Sequence, residues 1–269
     1  MHQYHPTIHA VVNGDRKHPA LVLGHPLGMS LRAWEDVAIA LSEYYFVVRW
    51  DLPGHGQSNP VAKSTLQLNE LDLLNQIIEI CDALEIKQFH YAGTSIGGMI
   101  GQQLAIHYPD KLLSLTLTNT GAKIGTNEAW LQRKKDVNKK GLTTMSEAIV
   151  TRWFSPKIIS ANPQLKTDWQ QRLSNTDDHS YGLLCAWLGQ RDHCNILKPC
   201  SLPMNFVAGE DDVATPPDLV RELAYLFGNN DVIQLSSVGH VPSVEAAASM
   251  IKILQHPEKM KINKNSINK

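Results

Sequence analysis

The stretch FHYAGTSIGGMIGQQLA, residues 89–105, restricts the fold more than any other part of the chain. It opens on a short apolar run, passes through Gly93-Thr94-Ser95-Ile96-Gly97, and continues with apolar residues at helical spacing. A G-x-S-x-G pentapeptide alone arises by chance. Between a strand and a helix it describes a tight turn, where small residues let the backbone fold back beside the serine. Ser95 is then held in a strained conformation at a helix N-terminus, whose dipole favours developing negative charge. The plain alternative is a Gly-rich turn with an N-capping serine. The strand before it and the helix after it favour a nucleophile.

Similar apolar runs, rich in β-branched and aromatic residues, recur at Ala20–Leu23, Tyr45–Trp50, Leu113–Leu117, Met204–Ala208 and Val232–Leu235. They are continuous rather than alternating, which is the pattern of strands covered on both faces. Between them, Leu68–Leu84 carries Leu71, Leu74, Ile77, Ile78, Cys81 and Leu84 at helical spacing, and Gly98–Tyr108 reads as a helix that stops at Pro109. Strands alternating with helices predict an α/β fold with a mostly parallel, doubly wound sheet. Residues 122–195 break the rhythm: they hold helical patterns, no clear strand, and four of the six Trp. We expect a helical lid there, above the carboxyl ends of the strands where such sheets bind ligands. The expected layout is a core from 1–121 and 196–256, a lid from 122–195, and a polar tail from 257–269 that frays.

Composition excludes several classes. With 269 residues the chain can bury one sizeable core, and 43% hydrophobic with 19% charged residues is ordinary for a folded protein. The net charge is −1, and the last thirteen residues carry four Lys and one Glu, so no broad basic face for nucleic acid is implied. MHQYHPTIHAVVNG has neither a cationic start nor an apolar core, so no signal peptide is expected. No apolar run reaches membrane-spanning length. Cys81, Cys185, Cys194 and Cys200 lack framework or metal-ligand spacing, which predicts free thiols, a cytoplasmic location, no metal and no cofactor.

A serine hydroxyl near neutral pH needs a base. Twelve His leave composition mute, but position decides. On such sheets the chain order is Ser, then acid, then His, with the last two on loops after late strands. The last strand candidate leads into Ser236-Ser237-Val238-Gly239-His240, which makes His240 the base. The acid follows Met204–Ala208, in Gly209-Glu210-Asp211-Asp212. A tight turn out of the strand places Asp212 best, with Asp211 as runner-up. An earlier position for the acid, after Leu113–Leu117, reads Thr118-Asn119-Thr120 and holds none. Donors for the oxyanion of acyl attack are the N–H of Ile96 and, on the Gly24-His25-Pro26-Leu27-Gly28 loop, that of Leu27, since Pro26 has none. His25 reads as a brace for that loop. Asp51-Leu52-Pro53-Gly54-His55-Gly56 reads as a structural turn supporting the elbow.

Together HPLG, RWDLPGHGQS, GTSIGG, GEDDVATPP and GH resemble the α/β-hydrolase superfamily across nearly the whole chain. LGMSLRAW, AGTSIGGMIGQQLAIHYPDKL, LTNTGAKIG, the Trp130–Arg133 pair and Arg152-Trp153-Phe154 resemble, more narrowly, the 3-oxoadipate enol-lactonases of aromatic catabolism. The match runs from about Leu21 to Glu245. It departs from the family pattern at His25-Pro26, where Asn-Ser is usual, at Pro53, where Arg is usual, and at Gly189-Gln190, where an Arg-Asp pair is often found. The resemblance implies lactone hydrolysis through an acyl-enzyme. It also implies a cation for the substrate carboxylate, with Arg133 and Arg152 as candidates and Trp153 as a pocket wall. A small-molecule lactone or ester is the expected partner, with no nucleic acid and no membrane. A general carboxylesterase, a carbon–carbon bond hydrolase and a non-catalytic binding protein are the competing readings.

Overall fold

The computed structural model describes residues 7–255. The predicted frayed tail, 257–269, lies outside the described residues. In chain order the elements begin with β1 (Ala10–Asn13), β2 (Ala20–Gly24), α1 (Glu35–Leu41), β3 (Phe46–Trp50), α2 (Asp72–Ala83), β4 (Phe89–Thr94), α3 (Ile96–His107) and β5 (Leu112–Thr118). Then come α4 (Asn127–Val150), α5 (Pro156–Ala161), α6 (Gln164–Ser174) and α7 (Asp178–Gly189). The chain returns through β6 (Met204–Gly209), α8 (Pro217–Leu226), β7 (Ile233–Leu235), α9 (Pro242–Glu245) and α10 (Ala247–Gln255).

The strands form one seven-stranded sheet in the order β1-β3-β2-β4-β5-β6-β7. β1 runs antiparallel to β3, and every other pairing is parallel. Chain order reverses direction between β2 and β4, and the crevice outside such a switch point is where open α/β sheets bind ligands. The register there pairs Gly24 with Gly93, so the loops that leave the two strands start side by side.

The six apolar runs of the sequence are six of the strands. β2 and β3 are buried along their whole length, as continuous apolar runs require. β1 was not foreseen: AVVN is four residues long, partly exposed, and paired on one side only. α2 begins four residues later than periodicity suggests, because Asn69 N–H donates to Asp72 Oδ2 (2.7 Å) and holds residues 69–72 in a turn. α3 begins two residues earlier than expected, directly behind Ser95. It lies close to the sheet because its inner face is glycine: a Cβ on Gly97 would stand 2.5 Å from the Gly24 carbonyl oxygen, and one on Gly101 2.9 Å from the Tyr91 ring. Leu21, Leu23, Val47, Phe89, Leu115, Leu117 and Phe206 fill the core, each burial being worth roughly 1.5–3 kcal/mol.

The segment between β5 and β6 folds as helices α4–α7. α4 packs along α7 and α6, and is kinked at Gly141, whose φ of 75° ends one helix and starts another. The new N-terminus is held by Leu142 N–H donating to Asp178 Oδ1 (2.8 Å). Among the described residues no helix is long and apolar enough to cross a membrane.

Candidate active site

Ser95 joins β4 to α3 with φ 58° and ψ −117°, a conformation that costs a non-glycine residue about 1–3 kcal/mol. Its backbone is bound on both sides: Ser95 N–H donates to Thr118 O (3.2 Å) and Asn119 O (3.1 Å), and Thr120 Oγ1 donates to Ser95 O (2.8 Å). The flanking glycines are sterically required. A Cβ on Gly93 would sit 2.3 Å from Gly97 O, and one on Gly97 would strike Gly24. The motif is therefore the packing solution that lets strand, turn and helix share one small volume.

His240 Nδ1–H donates to Asp212 Oδ2 at 2.8 Å. Asp212 leaves β6 in a turn, with its N–H donating to Gly209 O (3.3 Å). Its Oδ1 accepts from the N–H groups of Ala214 (2.8 Å) and Thr215 (3.0 Å). Its Oδ2 also accepts from Thr215 Oγ1 (2.7 Å) and Asn119 Nδ2 (2.8 Å). Burial alone would raise the Asp212 pKa, but His240 and the Thr215 donors outweigh it and hold the carboxyl below its ordinary value. Asp211 is exposed, and its N–H donates to Val238 O (2.8 Å), which ties the acid loop to the histidine loop.

The loop after β2 is braced by two buried histidines. His25 Nδ1–H donates to Pro26 O (2.7 Å), and its Nε2 accepts from Leu52 N–H (2.9 Å). His55 Nδ1–H donates to Pro53 O (2.9 Å), and its Nε2 accepts from Gly28 N–H (3.1 Å). Each ring is thereby used as a neutral donor–acceptor. Burial depresses both pKa values, His55 to about 3. The amides after Leu27 are thus engaged, Gly28 with His55 and Met29 with Pro26 O. The N–H of Ile96 lies in the first turn of α3, where amides have no partner within the helix.

Ser95, His240, Leu27, Trp153, Arg133 and Arg152 line one cavity of about 230 Å³. Ile96 and Asp212 are not in its lining; the first follows Ser95 in the chain and the second is hydrogen-bonded to His240. Arg133 lies 5.3 Å over the Trp130 ring and beside the Tyr181 hydroxyl. Arg152 Nη2 donates to Val213 O (3.2 Å). Among the described residues neither arginine has a carboxylate within ion-pair distance. Trp153 meets Phe154 and Trp169 edge to face. A somewhat larger cavity, about 280 Å³, lies behind Gly28, but its carboxylate, Asp51, is already engaged by Leu31 N–H, Gln57 N–H and His9. All four cysteines are free thiols. No cluster of three or more His, Cys, Asp or Glu among the described residues is arranged for a metal.

Comparison with known proteins bears on the family and the fold. The family profile for the alpha/beta hydrolase fold matches residues 19–152. The 3-oxoadipate enol-lactonase 2 of Acinetobacter baylyi is 31% identical over 235 residues, covering 86% of this chain and 85% of its own. The 3-oxoadipate enol-lactonase 1 of the same organism is 34% identical over 209 residues, 78% of this chain and 77% of its own. The chain belongs to the α/β-hydrolase superfamily, in the family of the 3-oxoadipate enol-lactonases. The crystal structure of the enol-lactonase from Burkholderia xenovorans superposes with a TM-score of 0.87 at 26% identity, over 94% of this chain and 96% of that one.

Three residues around the site of this enol-lactonase relative escaped the sequence reading. Asn119 drew notice only for not being an acid, yet its Nδ2 donates both to Asp212 Oδ2 and to Gly239 O (2.9 Å). Its φ of 46° is a conformation asparagine tolerates better than most residues. Thr215 supplies two of the donors to the acid. Tyr181, on α7, forms a pocket wall and stacks on His55. The register of β5 against β6, Thr118 opposite Val207, brings Asn119 to the acid, and no local pattern announces it.

Proposed function

We propose that this hydrolase opens 3-oxoadipate enol-lactone to 3-oxoadipate, in the cytoplasmic breakdown of aromatic compounds, with Ser95, His240 and Asp212 as its catalytic triad. His240 Nε2 takes the Ser95 proton as Oγ attacks the lactone carbonyl. The N–H groups of Ile96 and Leu27 hold the oxyanion. The ring C–O bond breaks, and the enol oxygen leaves with the proton from His240, still tethered through the acyl chain. Ketonisation makes that opening hard to reverse. Water, giving its proton to His240, then attacks the acyl carbon, and Ser95 recovers its proton as the product leaves. Asp212 holds the imidazole tautomer and stabilises the imidazolium.

One observation supports the substrate class above the others. Arg133 and Arg152 open onto the cavity that holds Ser95 and His240, next to the apolar wall of Trp153. A small molecule with one ionised carboxylate and one lactone carbonyl matches that lining. Helices α4–α7 act as the lid of the site. The test is a continuous assay with freshly generated enol-lactone on wild type and His240→Ala, with aryl esters in parallel. Preference for the lactone and near-complete loss in the variant are expected. An unaltered rate in the variant refutes the base, and equal turnover of simple esters refutes the lactone.

A further inference from the structure

Glu245 ends α9, five residues beyond His240, and has no place in the chemistry above. Its carboxylate is half-buried and faces three backbone amides. Oε2 accepts from Ser155 N–H (2.8 Å) and Gly239 N–H (3.0 Å), and Oε1 accepts from Val241 N–H (3.3 Å). Gly239 and Val241 are the two neighbours of His240. Ser155 belongs to the helical segment above, two residues after the pocket wall Trp153.

A second bond joins the same two pieces: His240 N–H donates to Trp153 O at 2.8 Å. The approach is close enough that Gly239 has no room for a side chain. A Cβ there would lie 2.7 Å from Ser155 N and 3.0 Å from Glu245 Oε1. Trp153 in turn packs near Gly28 of the loop after β2, where an added Cβ would stand 3.0 Å from its ring. Base, wall and oxyanion loop thus touch through one small region. Three N–H groups turned toward one carboxylate form a binding nest for negative charge. Burial raises the Glu245 pKa and the amides draw it back, so the nest holds an acid that desolvation would otherwise discharge.

We propose that Glu245 is a positioning residue: its carboxylate fastens the Trp153–Ser155 segment to the backbone on both sides of His240, so that pocket wall and catalytic base are held as one unit. The proposal rests on His240 as the base and is independent of the lactone. Without the carboxylate, three amides lose their acceptor and the His240 loop is tied to the helical segment by the Trp153 carbonyl. A displacement near 1 Å at a catalytic group lowers rates by about 10²-fold.

The test compares wild type, Glu245→Gln and Glu245→Ala on p-nitrophenyl acetate and on the enol-lactone. Active sites are counted by fluorophosphonate labelling, and the downfield proton resonance of His240 Nδ1–H is followed by NMR. We expect kcat per labelled site to fall about 10–100-fold in Glu245→Ala on both substrates. KM for the small acetate should change less than about twofold, and the downfield resonance should broaden. Glutamine keeps one acceptor oxygen, so Glu245→Gln should fall between the two, and it carries the test where the alanine variant does not accumulate. Wild-type kcat in both variants overturns the proposal, as does a loss confined to KM with an unchanged Nδ1–H resonance. A wild type that neither labels nor turns over the acetate removes the hydrolase reading as well, which separates the two failures.

Discussion

Five donors converge on the carboxylate of Asp212: two amides, a hydroxyl, an asparagine NH₂ and the His240 Nδ1–H. An acid so surrounded is fixed in place as well as ionised. Asp212→Asn keeps the shape but turns an NH₂ toward other donors and removes the charge that stabilises the imidazolium. We expect kcat to fall on the order of 10³–10⁴-fold with little change in KM. Asp211→Asn, one residue earlier on an exposed turn, should stay within about twofold, as surface changes usually do. Steady-state kinetics on the pair checks both, and equal losses would mean that the acid is misassigned. That Ser95 and His240 share a cavity and that His240 meets Asp212 was readable because chain order on this sheet is informative. Asn119 and Thr215 were not, because their part depends on where two strand ends meet. Glu245 was invisible for a further reason: a glutamate on a short helix looks like a solvated surface residue until the amides it faces are known.

The elements were legible wherever burial forced a pattern. Strands covered on both faces read as apolar runs, and the two long core helices read by periodicity. Errors gathered at ends and edges: β1, half exposed, and the starts of α2 and α3, which are set by an aspartate turn and by the elbow. The β4–α3 junction gives the sharpest prediction at this scale. In Gly97→Ala the new methyl would meet backbone, the Gly24 carbonyl, which has no side-chain freedom to yield. Overpacking of this kind costs about 1–3 kcal/mol. In a protein of this size that is roughly 2–4 °C of Tm for each kcal/mol. Because Gly24 opens the loop that carries Leu27, kcat at temperatures well below the transition should fall as well. Calorimetry and kinetics on the one variant would show both, and an unchanged Tm would mean that the helix can ride up without strain.

For the whole molecule, buried neutral histidines set the response to acid. His25 and His55 brace the loop after β2, and His193 Nδ1–H donates to Gln102 Oε1 (2.9 Å) beneath α3. Burial lowers all three pKa values, His55 to about 3 and His193 to about 4. Between about pH 6.5 and those values the unfolded chain binds protons that the folded chain does not, so stability falls as pH falls. Each such histidine contributes up to about 1.4 kcal/mol per pH unit. Glu245, with its raised pKa, works the opposite way just above the ordinary carboxylate range, one group against three. Urea midpoints at pH 7 and pH 5 should differ clearly in favour of pH 7, and a flat profile would exclude these histidines as the cause.

The helices over the site leave the sheet after β5 and re-enter it at β6, and those strands are hydrogen-bonded neighbours, Leu115 opposite Met204 through Thr118 opposite Val207. The strands are parallel, so the excursion leaves from the carboxyl end of β5 and returns to the amino end of β6, about 4.8 Å to one side and roughly 10 Å down the strand. Chain exchanged between two such points does not disturb the pairing on either side. The cavity is composite. Ser95, Asp212 and His240 stand on loops of the sheet, whereas Arg133, Arg152, Trp153 and Tyr181 all belong to the one excursion between β5 and β6, so exchanging that segment alters the pocket wall and leaves the loops of the other three in place.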